Sequence, residues 1–234
     1  MSVIEINLKE FVKMIKPGDI IFSRSDTLFG KIIQFSGHCM WNHVAMCIII
    51  NNKKYWCESL NSSNGDDGVK IWEMEKGLRK CLTSNGDSFL FGLSKMNTTQ
   101  KINTNLYKFY KKEEGKKYKK NYLTLFLSWF DGIGSLKSLF CCKPQDPDKE
   151  RELKLNQPLW AMNKKDTSTY FCSELLVQAL LDTTVMNPQF HKITKQEIPS
   201  SEWTVADLAN TKYINRQLKK GYFYSEIVIY KVSN

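Results

Sequence analysis

The sequence predicts an α+β fold, because strand-like runs come first, helical patterns follow, and a thiol, Cys172, stands where a short loop turns into an amphipathic helix. At 234 residues and 42% hydrophobic content, the chain can bury one substantial core. No Pro/Gly/Ser-rich linker divides it, so a single domain over residues 1–234 is expected, with an insertion at 122–156.

The first expected strand follows a turn, Lys16-Pro17-Gly18-Asp19-Ile20-Ile21-Phe22. Residues 28–35 carry the apolar spacing of a short helix, which Ser36-Gly37 breaks. The runs His43 to Ile50 and Lys53 to Leu60 flank Asn51-Asn52, a pair that tolerates positive φ and suits a tight hairpin. A hairpin centred there sets Ala45 opposite Glu58 and His43 opposite Leu60. Since side chains alternate every two residues, His43 and Glu58 become diagonal neighbours on one face.

Beyond a polar loop at 61–68, strands are expected from Val69 to Met74 and from Ser88 to Leu93. Ile102, Leu106 and Phe109 recur at helical spacing and predict a helix ending near Gly115. Tyr122 to Phe140 is rich in Leu, Phe and Trp, but Asp131, Gly132, Gly134 and Lys137 interrupt it. A spanning helix needs about 20 predominantly apolar residues, so no span is expected there. Residues 142–156 are polar, contain Pro144 and Pro147, and read as an exposed excursion before the Cys172 helix. Tyr222 to Lys231 alternates as a final strand.

The formal charge is +10, and its densest stretch runs from Lys101 to Lys120, with eight lysines against Glu113 and Glu114. These lysines read first as the wet face of a helix. An anionic membrane surface, met through Lys101–Lys120 and the apolar Tyr122–Phe140 segment, is the partner they would fit. No RNA-binding or DNA-reading motif occurs, and nucleic acid is not expected. Seven cysteines, an odd number without metal-ligand spacing, favour a reducing compartment. Residues 1–7 lack a secretory pattern and the last residues lack a prenylation box, so a cytoplasmic location is expected, with membrane association as an extension of it.

The chemistry is carried by three residues. Unpaired N–H groups and the positive end of the dipole at a helix start stabilise a thiolate, which makes Cys172 the expected nucleophile. His43 would take the thiol proton, and Glu58 would hold the imidazole tautomer and stabilise the imidazolium. Acyl transfer through a thioester follows from such a set. The Cys172 backbone N–H is a candidate oxyanion donor, with Tyr170 and Ser173 as the accompanying oxyanion or substrate-binding residues. His38, Cys39 and His43 have no fourth ligand at useful spacing, so neither metal nor cofactor is expected.

These residues resemble the circularly permuted branch of the NlpC-type papain-like superfamily, which includes amidase-like proteins and the lecithin:retinol acyltransferase group. The likeness rests on Pro17-Gly18-Asp19-Ile20-Ile21-Phe22, on Trp41-Asn42-His43-Val44-Ala45-Met46, on Glu58, and on Phe171-Cys172-Ser173-Glu174-Leu175 opening a helix. Glu114-Gly115-Lys116-Lys117-Tyr118 and the segment from Pro199 to Leu208 add weaker matches. The resemblance implies an antiparallel sheet packed on a helix with the nucleophile at its N-terminus, and a His-before-Cys chain order. It implies a cysteine hydrolase, of peptidase or amidase type, acting on an amide- or ester-bearing peptide or lipid. The alternatives are a lipid acyltransferase or phospholipase at a membrane surface and a non-catalytic binding module on the same fold.

Overall fold

A computed structural model describes residues 2–24, 30–31, 33–34, 39–61, 67–85, 88–97, 100–119, 168–190, 197, 200 and 203–234. The elements in chain order are β1 (Val3–Asn7), α1 (Leu8–Met14), β2 (Ile20–Ser23), β3 (His43–Ile50), β4 (Lys53–Leu60), β5 (Gly68–Glu73), α2 (Met74–Asn85), β6 (Ser88–Ser94), α3 (Gln100–Glu113), β7 (Lys117–Tyr118), β8 (Thr169–Tyr170), α4 (Cys172–Asp182), α5 (Val205–Ala209), α6 (Thr211–Gln217) and β9 (Val228–Ser233). Within the expected helix at 28–35, residues 30–31 and 33–34 are helical. Tyr122–Phe140, the 142–156 excursion, Cys141 and Cys142 lie outside the described residues. Among the described residues no helix is long and apolar enough to cross a membrane.

Asn51 and Asn52 take φ of 48° and 62°, the paired left-handed conformation of a type I′ hairpin turn. The β3–β4 ladder runs from Ile50↔Lys53 to Met46↔Cys57, in the register expected from the sequence. Around this hairpin a seven-stranded sheet is ordered β1-β9-β6-β2-β3-β4-β5. The papain-like expectation of an antiparallel sheet on one helix needs correction here, because β1 and β9 pair in parallel, Val3↔Ile229 to Asn7↔Ser233, and the sheet is mixed. It also carries helices on both faces. The reason β1 escapes sequence reading is physical: it is an edge strand, short and mostly exposed, and its partner lies at the other end of the chain.

The two-residue period sorts the core into two layers. Ile20 and Phe22 of β2 and Val44, Met46 and Ile48 of β3 face Leu106 and Phe109 of α3, Leu175 and Leu176 of α4, and Leu208 and Ile214 of the last helices. Ile21, Ala45 and Cys47 face the other way, toward Leu8 and Phe11 of α1 and Leu78 and Leu82 of α2. Phe11 stacks on Phe91 at 5.4 Å and tilts against Tyr230 at 5.3 Å, tying α1 to the two strands beneath it. Helix α2 is absent from the sequence reading, although Met74, Leu78 and Leu82 recur at i, i+4, i+8 and are all buried.

Polar clamps complete the frame. Past the Ile20↔Met46 pair, β3 has no β2 neighbour, and Asn103 of α3 takes its place: the side chain accepts from the Ile49 N–H at 2.9 Å and donates to the Ile49 carbonyl at 2.8 Å. Asp19, fully buried, accepts from the N–H of Lys16 at 2.8 Å and of Met96 at 3.0 Å. Burial pushes its carboxyl up to about 6 against the pull of those two N–H groups and of Lys95 and Lys16.

That shift carries a sign. The folded state holds the Asp19 proton up to about 6, whereas the unfolded chain releases it near the usual carboxylate value of about 4. Its stabilising contribution is therefore complete below about pH 4 and lost as pH rises through about 6. Urea titrations should show the native protein losing about 3 kcal/mol more than the Asp19→Asn variant across this window. Parallel pH profiles for the two proteins would refute it.

Candidate functional site

The site lies where two strands part. The β3–β4 ladder ends at Met46↔Cys57, while β4 stays paired with β5 as far as Leu60↔Gly68. The start of α4 occupies the opening. Ser59 Oγ donates to the Tyr170 carbonyl at 2.7 Å, and the Val44 N–H bonds to the Cys172 sulfur. Helix α4 starts at Cys172 because Glu174 reaches back to accept the Phe171 N–H at 3.2 Å. The approach is guided by β7 and β8, which pair in parallel just before it. Gly68, at φ 100°, makes this passage possible, since a Cβ there would stand 2.1 Å from the Lys116 carbonyl oxygen.

Three of the expected residues meet in this opening. His43 Nε2 donates to Glu58 Oε2 at 2.7 Å, and the imidazole also hydrogen-bonds to Cys172. Nε2 being taken by the carboxylate, Nδ1 is the nitrogen left for the thiol. The result is a serial chain, carboxylate to imidazole to sulfur. The second carboxylate oxygen, Oε1, accepts from the Trp72 indole N–H at 3.0 Å. The His43 side chain keeps 19% of its surface exposed and Glu58 only 6%, so the imidazole is the part of the pair open to a ligand.

Burial opposes charge on all three groups and loses each time. The Cys172 thiol is pushed up by burial, but the His43 charge, its hydrogen bond, and the N–H groups of Val44 and Ser173 bring it below the ordinary thiol value. Burial would likewise push His43 down, yet the Cys172 thiolate and the bonds to Cys172 and Glu58 raise it. Glu58 is held below the ordinary carboxylate value because the hydrogen bond and charge of His43, together with the neighbouring indoles of Trp56 and Trp72, outweigh its burial. At the other described cysteines burial prevails. Cys39, Cys47 and Cys57 are raised and Cys81 is pushed up to about 12, so Cys172 is the one described thiol drawn toward thiolate.

Tyr170 and Ser173 sit beside the sulfur with their hydroxyls turned to other work. Tyr170 is buried and donates to Glu113 Oε2 at 2.8 Å, while Ser173 Oγ donates to the Trp203 carbonyl at 2.8 Å. Ser173 reaches Cys172 through its backbone N–H instead. Sequence reasoning missed Trp72 and Glu113. Trp72 could have been found from the hairpin logic, since β5 pairs next to β4 and sets Trp72 opposite Trp56, one side-chain period from Glu58. Glu113 gave no signal, being one acid in a lysine-rich helix, yet it is buried and ion-paired with Lys116. Lys101, Lys108, Lys111, Lys112 and Lys117 are exposed.

No family model and no curated protein matches the chain. Among solved structures it is similar to metalloprotein yiiX from Escherichia coli O157:H7, DUF1105, with 16% identity, 92% of this chain and 88% of that chain covered, and a TM-score of 0.46. These findings correct the family expectation: no family model matches the chain, and the circularly permuted NlpC-type papain-like superfamily is not what the comparisons return. The thiol-hydrolase reading, drawn from Cys172, His43 and Glu58 before the resemblance, is corrected as well, together with the cysteine-peptidase and amidase types, the lipid-acyltransferase alternative and the binding module on that fold. At this identity the likeness brings no metal and no ligand to the chain. Among the described residues no group of three or more His, Cys, Asp or Glu could hold a metal ion.

Proposed function

We propose that Cys172, His43 and Glu58 form a reactive-thiol site, in which the Cys172 sulfur is held as the thiolate. His43 holds the thiol proton, and Glu58 orients the imidazole and keeps it charged. The observation that supports this reading is the hydrogen-bonded chain from Glu58 through His43 to a sulfur at the start of a buried helix. The opposite titration directions of Cys172 and His43 agree with it.

Iodoacetamide at about pH 6.5, where an ordinary thiol is about 1% thiolate, tests the proposal. The sulfur–carbon bond forms, the carbon–iodine bond breaks, iodide leaves, and the proton stays on His43. Mass mapping should find Cys172 modified ahead of Cys39, Cys47, Cys57 and Cys81, with the early adduct lost in Cys172→Ala. Adducts spread over the other cysteines while Cys172 stays unlabelled would sink it.

A further inference from the structure

The carboxylate of Glu58 has two oxygens, and the second is held from the neighbouring strand. Trp72 Nε1 donates to Glu58 Oε1 at 3.0 Å while Oε2 receives His43 at 2.7 Å. The indole itself is gripped from above. Lys80 and Lys76 of α2 place their ammonium groups 4.6 Å and 5.2 Å from the Trp72 ring centroid. An indole N–H can only donate, so it accepts no proton from Glu58 and favours the charged carboxylate over the neutral acid. With Oε1 tethered, the carboxylate plane is fixed and Oε2 is presented to the imidazole. A cation over the ring withdraws electron density from it and strengthens the N–H as a donor.

We infer that Trp72 is a positioning residue of this site: by holding Oε1 it fixes the plane in which Glu58 meets His43, and through His43 it governs the reactivity of Cys172. The inference rests on the reactive-thiol reading and adds to it a control element on β5 and α2, away from the sulfur. The hydrogen bond of Trp72 is made to Glu58, so its effect travels through that carboxylate.

The test is the pH dependence of Cys172 alkylation in the full chain, compared among the native protein, Trp72→Phe, Glu58→Gln, His43→Ala and the Trp72→Phe/Glu58→Gln double variant. Trp72→Phe should move the midpoint of the profile upward by about 0.5–1 pH unit and slow labelling near neutral pH about 3- to 10-fold. In the Glu58→Gln background the same change should move nothing further, because the carboxylate through which it acts is gone. A Lys76→Ala/Lys80→Ala variant leaves the core intact and should shift the midpoint in the same direction by a smaller amount, again only when Glu58 is present. An unmoved midpoint in both the tryptophan and lysine variants, or an equal shift with and without Glu58, overturns the inference while leaving the site reading intact. If His43→Ala and Glu58→Gln also leave the midpoint unmoved, the site reading itself fails and takes this one with it.

Discussion

His43→Ala is expected to slow alkylation of Cys172 near neutral pH on the order of 100-fold and to carry the midpoint of its pH profile up to or beyond the ordinary thiol range. The sign follows from the electrostatics. Burial alone raises the thiol, and the His43 charge and hydrogen bond are the largest effects that bring it down. Without the imidazole, the N–H groups of Val44 and Ser173 remain, and they act against the whole burial cost. Near pH 7 a thiol titrating around 9 is about 1% thiolate, which sets the size of the expected loss. Glu58→Gln should lie between the native and His43→Ala profiles, since the neutral amide still accepts from Nε2 but no longer stabilises the imidazolium. A His43→Ala profile that overlays the native one would show that the thiolate is made by the helix start alone.

Glu113→Ala should lower stability by about 3–5 kcal/mol, measured by urea unfolding, because it leaves a buried hydroxyl and a half-buried ammonium without their shared carboxylate. Glu113 is 2% exposed, accepts from Tyr170 Oη at 2.8 Å and pairs with Lys116. It joins the end of α3 to β8, two residues before the sulfur, and burial together with this bond pushes the Tyr170 phenol above its ordinary value. Tyr170→Phe should cost less, about 1.5–3 kcal/mol for one hydrogen bond to a charged group. It should also leave the Cys172 pH profile where it is, since the hydroxyl points at Glu113 and away from the thiol. A Tyr170→Phe protein with native stability but altered labelling would return the hydroxyl to the oxyanion role expected from sequence.

The parts of the site that were legible in the sequence are those that local geometry dictates. A hairpin turn of two residues leaves no freedom in pairing, so Asn51-Asn52 alone was enough to make His43 and Glu58 neighbours. The start of α4 was legible as a loop turning into an amphipathic helix, and in the structure Glu174, three residues after Phe171, closes its first turn. Trp72 required the next strand in the sheet, one pairing further from the turn. Glu113 required the packing of α3 on the strand below, which nothing in a run of lysines announces. The family resemblance misled in another way, because short motifs in the right order describe a site and not the sheet around it.

By itself the sequence determined the hairpin, its register and a helix beginning at Cys172, all of which follow from contacts between residues close along the chain. Only the tertiary structure decided that β1 lies parallel to β9, that β3 and β4 part beyond Met46 and Cys57, and that the start of α4 fills that gap with its sulfur against His43. The first and last of those arrangements join residues more than a hundred positions apart. Such distances are closed by burial of apolar surface, which has no direction and leaves no local pattern to read.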